Sequence, residues 1–156
     1  MNTLHSRITF TSEMSCEKLV FLDIIIFKTE KNFEVEIFHK ETDTNSVLSF
    51  NSCHPSHTLR NIPFNAARRI KALTDHPKTV TEKLSKVKEK FITANYPLGV
   101  VETTISSVRN LDTKTLRYSK DKIKNDNILS FVHTFDPSLP QLATLVKETV
   151  SRIYKH

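Results

Sequence analysis

Two stretches near the start of the chain alternate between apolar and polar positions. Ile8 and Phe10 are separated by Thr9 and followed by Thr11, and Phe33, Val35 and Ile37 are separated by Glu34 and Glu36. A period of two marks a strand with one buried face. Between them residues 19–27 are apolar almost throughout, broken only by Asp23, which predicts a central strand covered on both faces. The polar link Lys28-Thr29-Glu30-Lys31-Asn32 reads as a turn, so the three segments predict an antiparallel meander. A short strand over residues 47–50 is expected to follow.

Past residue 55 the spacing lengthens. Phe64, Ala67, Ile70 and Leu73 recur at near-helical intervals, and Pro55 and Pro63 bracket a short turn or helix ahead of them. A second helix is predicted to begin near Thr79 or Thr81, where Thr79-Val80-Thr81-Glu82 resembles a capping box. Val80, Leu84, Val87 and Phe91 give it one apolar stripe. Asn95-Tyr96-Pro97 ends it, because the residue before a proline is pushed out of the helical region. Pro97 suits the first turn of a third helix with the stripe Val101, Ile105 and Val108. Two helices joined so tightly make a helix-turn-helix shape, which by its spacing alone says nothing about reading bases.

Residues 112–127, rich in Lys, Asp, Asn and Thr, read as a solvated linker. Residues 128–135 are expected to form one more strand, and Pro137 with Pro140 marks the turn into a last helix. Its buried face is predicted to be Leu142, Leu145, Val146, Val150 and Ile153. The fold class expected is therefore α+β. A small N-terminal antiparallel β-meander (1–55) precedes a helical bundle with a helix-turn-helix (56–111), the linker (112–127), then a short strand and C-terminal helix (128–156).

The 156 residues, 38% hydrophobic and 26% charged, have the balance of one globular domain or two very small ones. No apolar run is long enough to span a bilayer, and residues 1–10 lack the apolar core of a secretory signal. No membrane partner is expected, and the place expected is intracellular, cytoplasmic or nuclear. Cys16 and Cys53, far apart, suit free thiols in a reducing compartment. Charge changes the picture more. Residues 1–55 carry five Lys and Arg against eight Asp and Glu, residues 56–124 fifteen against six, and residues 125–156 three against three. The net charge of +6 therefore arises in the middle third, where a positive field is suited to phosphates. An ordinary solvated helical face is the equal alternative on charge alone.

Few residues offer catalysis. Two-metal phosphoryl transfer needs clustered carboxylates, and the acids here are scattered singly with no adjacent Asp-Asp pair, so no catalytic residue is expected. Asp23, inside an apolar segment, is expected to be buried against backbone amides or an Arg, with a nucleic-acid or metal role as the alternative. Ser52-Cys53-His54-Pro55-Ser56-His57 places a thiol and two imidazoles together, but zinc would need a further ligand and a Cys-His hydrolase an orienting group. Gly99 is the only glycine, so no Gly-rich phosphate loop exists. No metal and no cofactor is expected.

The cluster that stands out is Arg60, Arg68, Arg69 and Lys71, with His54 and His57 just upstream and Lys86 and Lys90 on the next helix. Cations spread along neighbouring helices contact successive phosphates, Arg with a planar fork, and these are expected to face outward together. Phe64 and Tyr96 are candidates either to stack on bases or to fill the core.

The order of several short strings is also informative. Phe10-Thr11-Ser12-Glu13, Phe21-Leu22-Asp23, Lys40-Glu41-Thr42-Asp43-Thr44-Asn45-Ser46, Ser52-Cys53-His54-Pro55-Ser56-His57, Asn61-Ile62-Pro63-Phe64, Arg68-Arg69-Ile70, Tyr96-Pro97 and Thr134-Phe135-Asp136-Pro137-Ser138-Leu139-Pro140 follow one another. Together they resemble the C-terminal portion of the reverse transcriptase of Penelope-like retroelements, over roughly residues 8–155. The resemblance implies that the N-terminal strands are the end of a polymerase palm with its primer-grip region. It implies that residues 56–111 are a thumb-like helical domain, the animal helix-turn-helix region. The family's Tyr-x-Asp-Asp metal motif lies upstream of these strands and its GIY-YIG endonuclease downstream, and neither is in this sequence. The chain departs from the family at Lys40-Glu41-Thr42-Asp43, where Lys-Pro-Thr-Asp is usual, and at Ala94-Asn95-Tyr96-Pro97, where Arg-Gly-Tyr-Pro is favoured.

The function expected is a reverse-transcriptase fragment without polymerase activity that binds the RNA or DNA backbone of a template-primer in a sequence-tolerant way. Cut off from earlier strands, such a fragment is expected to aggregate or to depend on a partner. The alternative is a protein-interaction module or a remnant with no nucleic-acid affinity. A sequence-specific DNA reader is disfavoured, because the third helix offers only Glu102, Arg109 and Asn110 besides Ser and Thr.

Overall fold

The computed structural model describes residues 11–44, 46–117, 131–139 and 142–153. Within them the chain is α+β, as its patterning predicts. The order is β1 (Lys18–Phe21), β2 (Ile24–Lys28), β3 (Phe33–Ile37), α1 (Ser56–Ala72), α2 (Pro77–Thr93), α3 (Leu98–Arg109), α4 (Thr113–Arg117) and α5 (Leu142–Ile153). The strands form an antiparallel meander, β1-β2-β3.

The strands are not the three that the pattern suggests. Residues 19–27, expected as one central strand, fold into the hairpin of β1 and β2, with Phe21 paired to Ile24 across a two-residue turn. Leu22 takes the left-handed region at φ 54°, which disfavours a side chain by about 1–2 kcal/mol. Asp23 holds the turn from outside: its carbonyl accepts the Phe38 N–H at 2.7 Å and its carboxylate accepts from Arg69. Asp23 therefore has the arginine partner expected of it but not the burial, with 61% of its side chain exposed. The alternating segment at residues 8–11 lies outside the described residues except for Thr11, which is not in a strand. The polar link at residues 28–32 is a turn, closed by Thr29 and Asn32 through both backbone and hydroxyl.

One edge of the sheet is fastened to the helices. The Val35 N–H donates to Asp75 Oδ2 at 2.8 Å, and the Asp75 N–H returns to the Val35 carbonyl at 2.9 Å. The Ile37 N–H donates to the buried Thr74 hydroxyl at 3.3 Å. Thr74 and Asp75, just past the C-cap of α1, thus satisfy backbone groups that an open β3 edge would leave to solvent.

α1 is a single helix, although Pro63 was expected to mark its boundary. An interior proline removes one hydrogen bond and crowds the preceding turn at about 3 kcal/mol. Here the ring is fully buried on the face that carries Leu59, Ala67 and Ile70, so apolar burial opposes that loss. α2 starts at Pro77, ahead of the expected capping box, because proline needs no N–H partner in the first turn. Thr81 lies inside the helix and its hydroxyl bonds back to the Pro77 carbonyl at 3.0 Å.

α2 ends in a Schellman motif. Asn95 adopts φ 65°, its N–H bonds the Ile92 carbonyl and the Tyr96 N–H bonds the Phe91 carbonyl, each at 3.0 Å. Asparagine is the residue after glycine that best tolerates this conformation, so the departure from Gly at this position leaves the turn intact. Val101, Ile105 and Val108 of α3 are buried as predicted and join Leu84, Phe91, Tyr96, Ala67 and Ile70 in one core, reached from the sheet by Ile37.

Residues 47–50 form no strand. The Phe50 N–H bonds the Ala94 carbonyl at 2.9 Å and its ring lies 5.0 Å from Tyr96, so this segment seals the corner between α2 and α3. Within the expected linker, residues 113–117 form α4, and residues 118–127 lie outside the described residues. Of the expected last strand, residues 128–130 also lie outside them, and residues 131–135 are not in a strand. α5 is present, but its expected buried face is not buried: Leu145 and Ile153 are 61% and 65% exposed. The helical period is local, whereas burial needs a packed neighbour.

Candidate nucleic-acid interface

The sheet end, α1 and α2 enclose a groove of about 660 Å³. Its rim carries Lys40, Arg69, Lys83, Lys86 and Lys90 against two carboxylates, Asp23 and Asp43. Its floor is apolar, with the half-buried Val47, Ala66 and Val87 lining it over the buried Ile37, Ile70 and Phe91. α2 supplies three of the cations from one side, since residues 83, 86 and 90 fall within about 60° of one another at 3.6 residues per turn.

These cations are held to different degrees. Arg69 is tied to Asp23, and Lys83 bonds Glu36 at 2.8 Å and the Ile37 carbonyl at 3.2 Å. Lys40 and Lys86 have no acidic partner among the described residues. Half of the Arg69 side chain stays exposed despite its ion pair. An exposed pair of this kind is worth little, so exchanging its carboxylate for a phosphate is inexpensive.

The residues singled out from the sequence divide between two faces. Arg69, Lys86 and Lys90 meet in the groove. Arg60, Arg68 and His57 are exposed on α1, but lie about 100–180° around its axis from Arg69. His54 sits in the loop before α1, its Nδ1 3.2 Å from the Ser52 hydroxyl. Lys71 is half-buried and its ammonium donates to the Val108 carbonyl at 3.1 Å and to that of Arg109, closing the C-terminus of α3. The cations of the middle segment therefore do not all face outward together. Two sets form, and the groove set is the one that converges.

Lys83, Lys40 and His39 were not anticipated. The 83–86–90 spacing was visible in the sequence as a helical stripe of lysines. Lys40 and His39 follow β3 and reach the rim only because Val35, Ile37 and Phe38 dock against residues 74–75 and Asp23.

Neither aromatic candidate stands open to stack on a base. Tyr96 is 3% exposed between Phe50 and Phe91, and Phe64 is half-buried against the core. Among the described residues no three His, Cys, Asp or Glu side chains gather to hold a metal ion, so Cys53, His54 and His57 do not form the start of a zinc site there. Both cysteines are free and exposed.

α3 presents Glu102, Thr103, Ser106, Arg109 and Asn110 to solvent, and Glu102 is occupied by Lys88 of α2 at 2.6 Å. α2 and α3, joined through Ala94-Asn95-Tyr96-Pro97 and packed on α1, have the architecture of a helix-turn-helix unit. Residues 46–106 match the animal helix-turn-helix domain family. Neither the curated proteins nor the solved structures offer a match to the chain. Among the described residues no helix is long and apolar enough to cross a membrane.

Proposed function

We propose that the helix-turn-helix unit binds nucleic-acid backbone with little preference for sequence, as a thumb-side piece of a Penelope-like reverse transcriptase without polymerase chemistry of its own. The observation that carries this reading is the groove, where five cations from α1, α2 and the loop after β3 converge within or beside the matched segment. Phosphate contacts fix position and supply affinity, and base-edge contacts supply specificity. The open face of α3 has its one carboxylate already paired, and its Arg109 and Asn110 stand at the C-terminal end of the helix. Among the described residues the groove has two carboxylates, Asp23 bound to Arg69 and Asp43 beside His39, which favours gripping a polyanion over holding a pair of catalytic metal ions.

The test is a titration of a labelled RNA–DNA hybrid with the full chain at 50 and 200 mM salt. With about four phosphates neutralised, affinity is expected to fall roughly a hundredfold across that range. The double variant Lys86→Glu with Lys90→Glu is expected to weaken binding more than Arg60→Glu with Arg68→Glu. Affinity indifferent to salt, or unchanged by reversing the groove lysines, refutes the reading. The second reading, a protein-interaction module, is favoured by a different observation, the apolar positions of the sheet and of α5 that are exposed among the described residues. It predicts no affinity for the hybrid at either salt.

A further inference from the structure

We infer that the groove is a single-strand site, which seats the base of an unpaired nucleotide on its apolar floor while the flanking phosphates meet the cationic rim. The inference rests on the nucleic-acid reading and names the form of nucleic acid that this site takes.

Its basis is the mismatch between rim and floor. A surface that only neutralises phosphates needs cations and no cavity. This one encloses about 660 Å³, the size of a small-molecule site, and its accessible apolar lining is the half-buried Val47, Ala66 and Val87, backed by the buried Ile37, Ile70 and Phe91. A duplex keeps its base faces inside the stack and offers only phosphate and groove edges to such a surface, leaving the apolar floor unfilled. An unpaired strand exposes a flat apolar face on every base, which suits that floor.

Phe38 adds a specific handle. It lines the groove half-buried, directly after β3, and its N–H is fixed to the Asp23 carbonyl at 2.7 Å. It is thus an aromatic ring held beside the cations, the pairing that non-specific single-strand binders use. Arg69 lines the same groove from α1, with its side chain half exposed. Lys40 and Lys86 stand at the rim without acidic partners among the described residues, available to the phosphates on either side of the seated base.

Three ligands of equal length distinguish the possibilities: an oligo(dT) strand, the same strand with every base replaced by an abasic sugar, and the RNA–DNA hybrid. Each is titrated against the full chain at one salt concentration. The intact strand is expected to bind roughly tenfold more tightly than the abasic strand, the value of about one stacked base. Phe38→Ala is expected to remove most of that difference and to leave hybrid affinity within about twofold. The abasic comparison needs no variant, so it stays readable should Phe38→Ala fail to fold. If intact and abasic strands bind alike, the groove does not seat a base and the inference is overturned, while the backbone-binding reading stands. If no ligand binds, both fall.

Discussion

Tyr96 shows what a single position contributes to this fold. Its ring lies 5.0 Å from both Phe50 and Phe91, in tilted and edge-on contacts that join the loop before α1 to the end of α2. Its hydroxyl is buried and has no hydrogen-bond partner among the described residues. Burial pushes that hydroxyl above the ordinary tyrosine value near 10. The neutral form is favoured in the folded chain, so its contribution to stability is intact below that value and is lost only as pH rises beyond it. An unmet buried hydroxyl disfavours the fold by about 1–3 kcal/mol. Tyr96→Phe keeps both ring contacts and removes the unmet group, and is expected to raise unfolding free energy by about 1 kcal/mol in a urea titration. A loss of similar size instead shows that the hydroxyl has a partner. The neighbouring Asn95 carries the same lesson for reading a sequence. Asn95-Tyr96-Pro97 announced a helix end correctly, and the left-handed φ at Asn95 is the local chemistry that asparagine tolerates.

Elements were legible where their signal is local and illegible where it depends on a distant neighbour. The stripes of α2 and α3 and the turn between them follow from spacing alone, and so do the strand period of β3 and the polar turn before it. The hairpin inside residues 19–27 did not, because an apolar run says nothing about where it turns back. The turn is fixed by Arg69 and Phe38, which are distant from it in sequence. The groove was half legible for the same reason: the lysine stripe is local, whereas Lys40 arrives through β3. The fastening of β3 is itself testable. Burial pushes the Asp75 carboxyl up, but the Arg117 hydrogen bond at 2.5 Å, the Val35 N–H and the Arg117 charge outweigh it and hold the group below the usual carboxylate range. A depressed folded value means that the stabilisation is complete above the unfolded value near 4 and is lost as pH falls through the folded one. Asp75→Asn is therefore expected to have a lower urea midpoint than the parent at pH 7, and the two are expected to converge as pH is lowered below about 4. A constant difference between them at all pH values rules out the charged clamp.

At the scale of the whole molecule the sheet is sparsely covered among the described residues. Its register places Leu19, Phe21, Ile24, Ile26, Phe33, Val35 and Ile37 on one face with Lys28 at its end, and Lys18, Val20, Ile25, Phe27, Glu34 and Glu36 on the other. Among the described residues only Ile37 of the apolar face joins the core, and Phe21 and Phe33 are 58% and 70% exposed. The outer edge of β3 is occupied by Thr74 and Asp75, but among the described residues β1 has no second neighbour in the sheet, so there an apolar face and a strand edge lie side by side. Such a combination is a ready template for another copy of the same surface. The chain is therefore expected to self-associate, with a sedimentation coefficient that rises over a roughly hundredfold range of concentration. Phe21→Thr with Phe33→Thr keeps residues that suit a strand while removing the two largest exposed rings, and is expected to suppress the rise. The same variant should bind the RNA–DNA hybrid as the parent does, because neither ring lines the groove. A parent chain that sediments as a monomer throughout refutes the sheet-face argument. A variant that loses hybrid affinity as well shows instead that association through the sheet and the grip on nucleic acid are one property, with the groove complete only between copies.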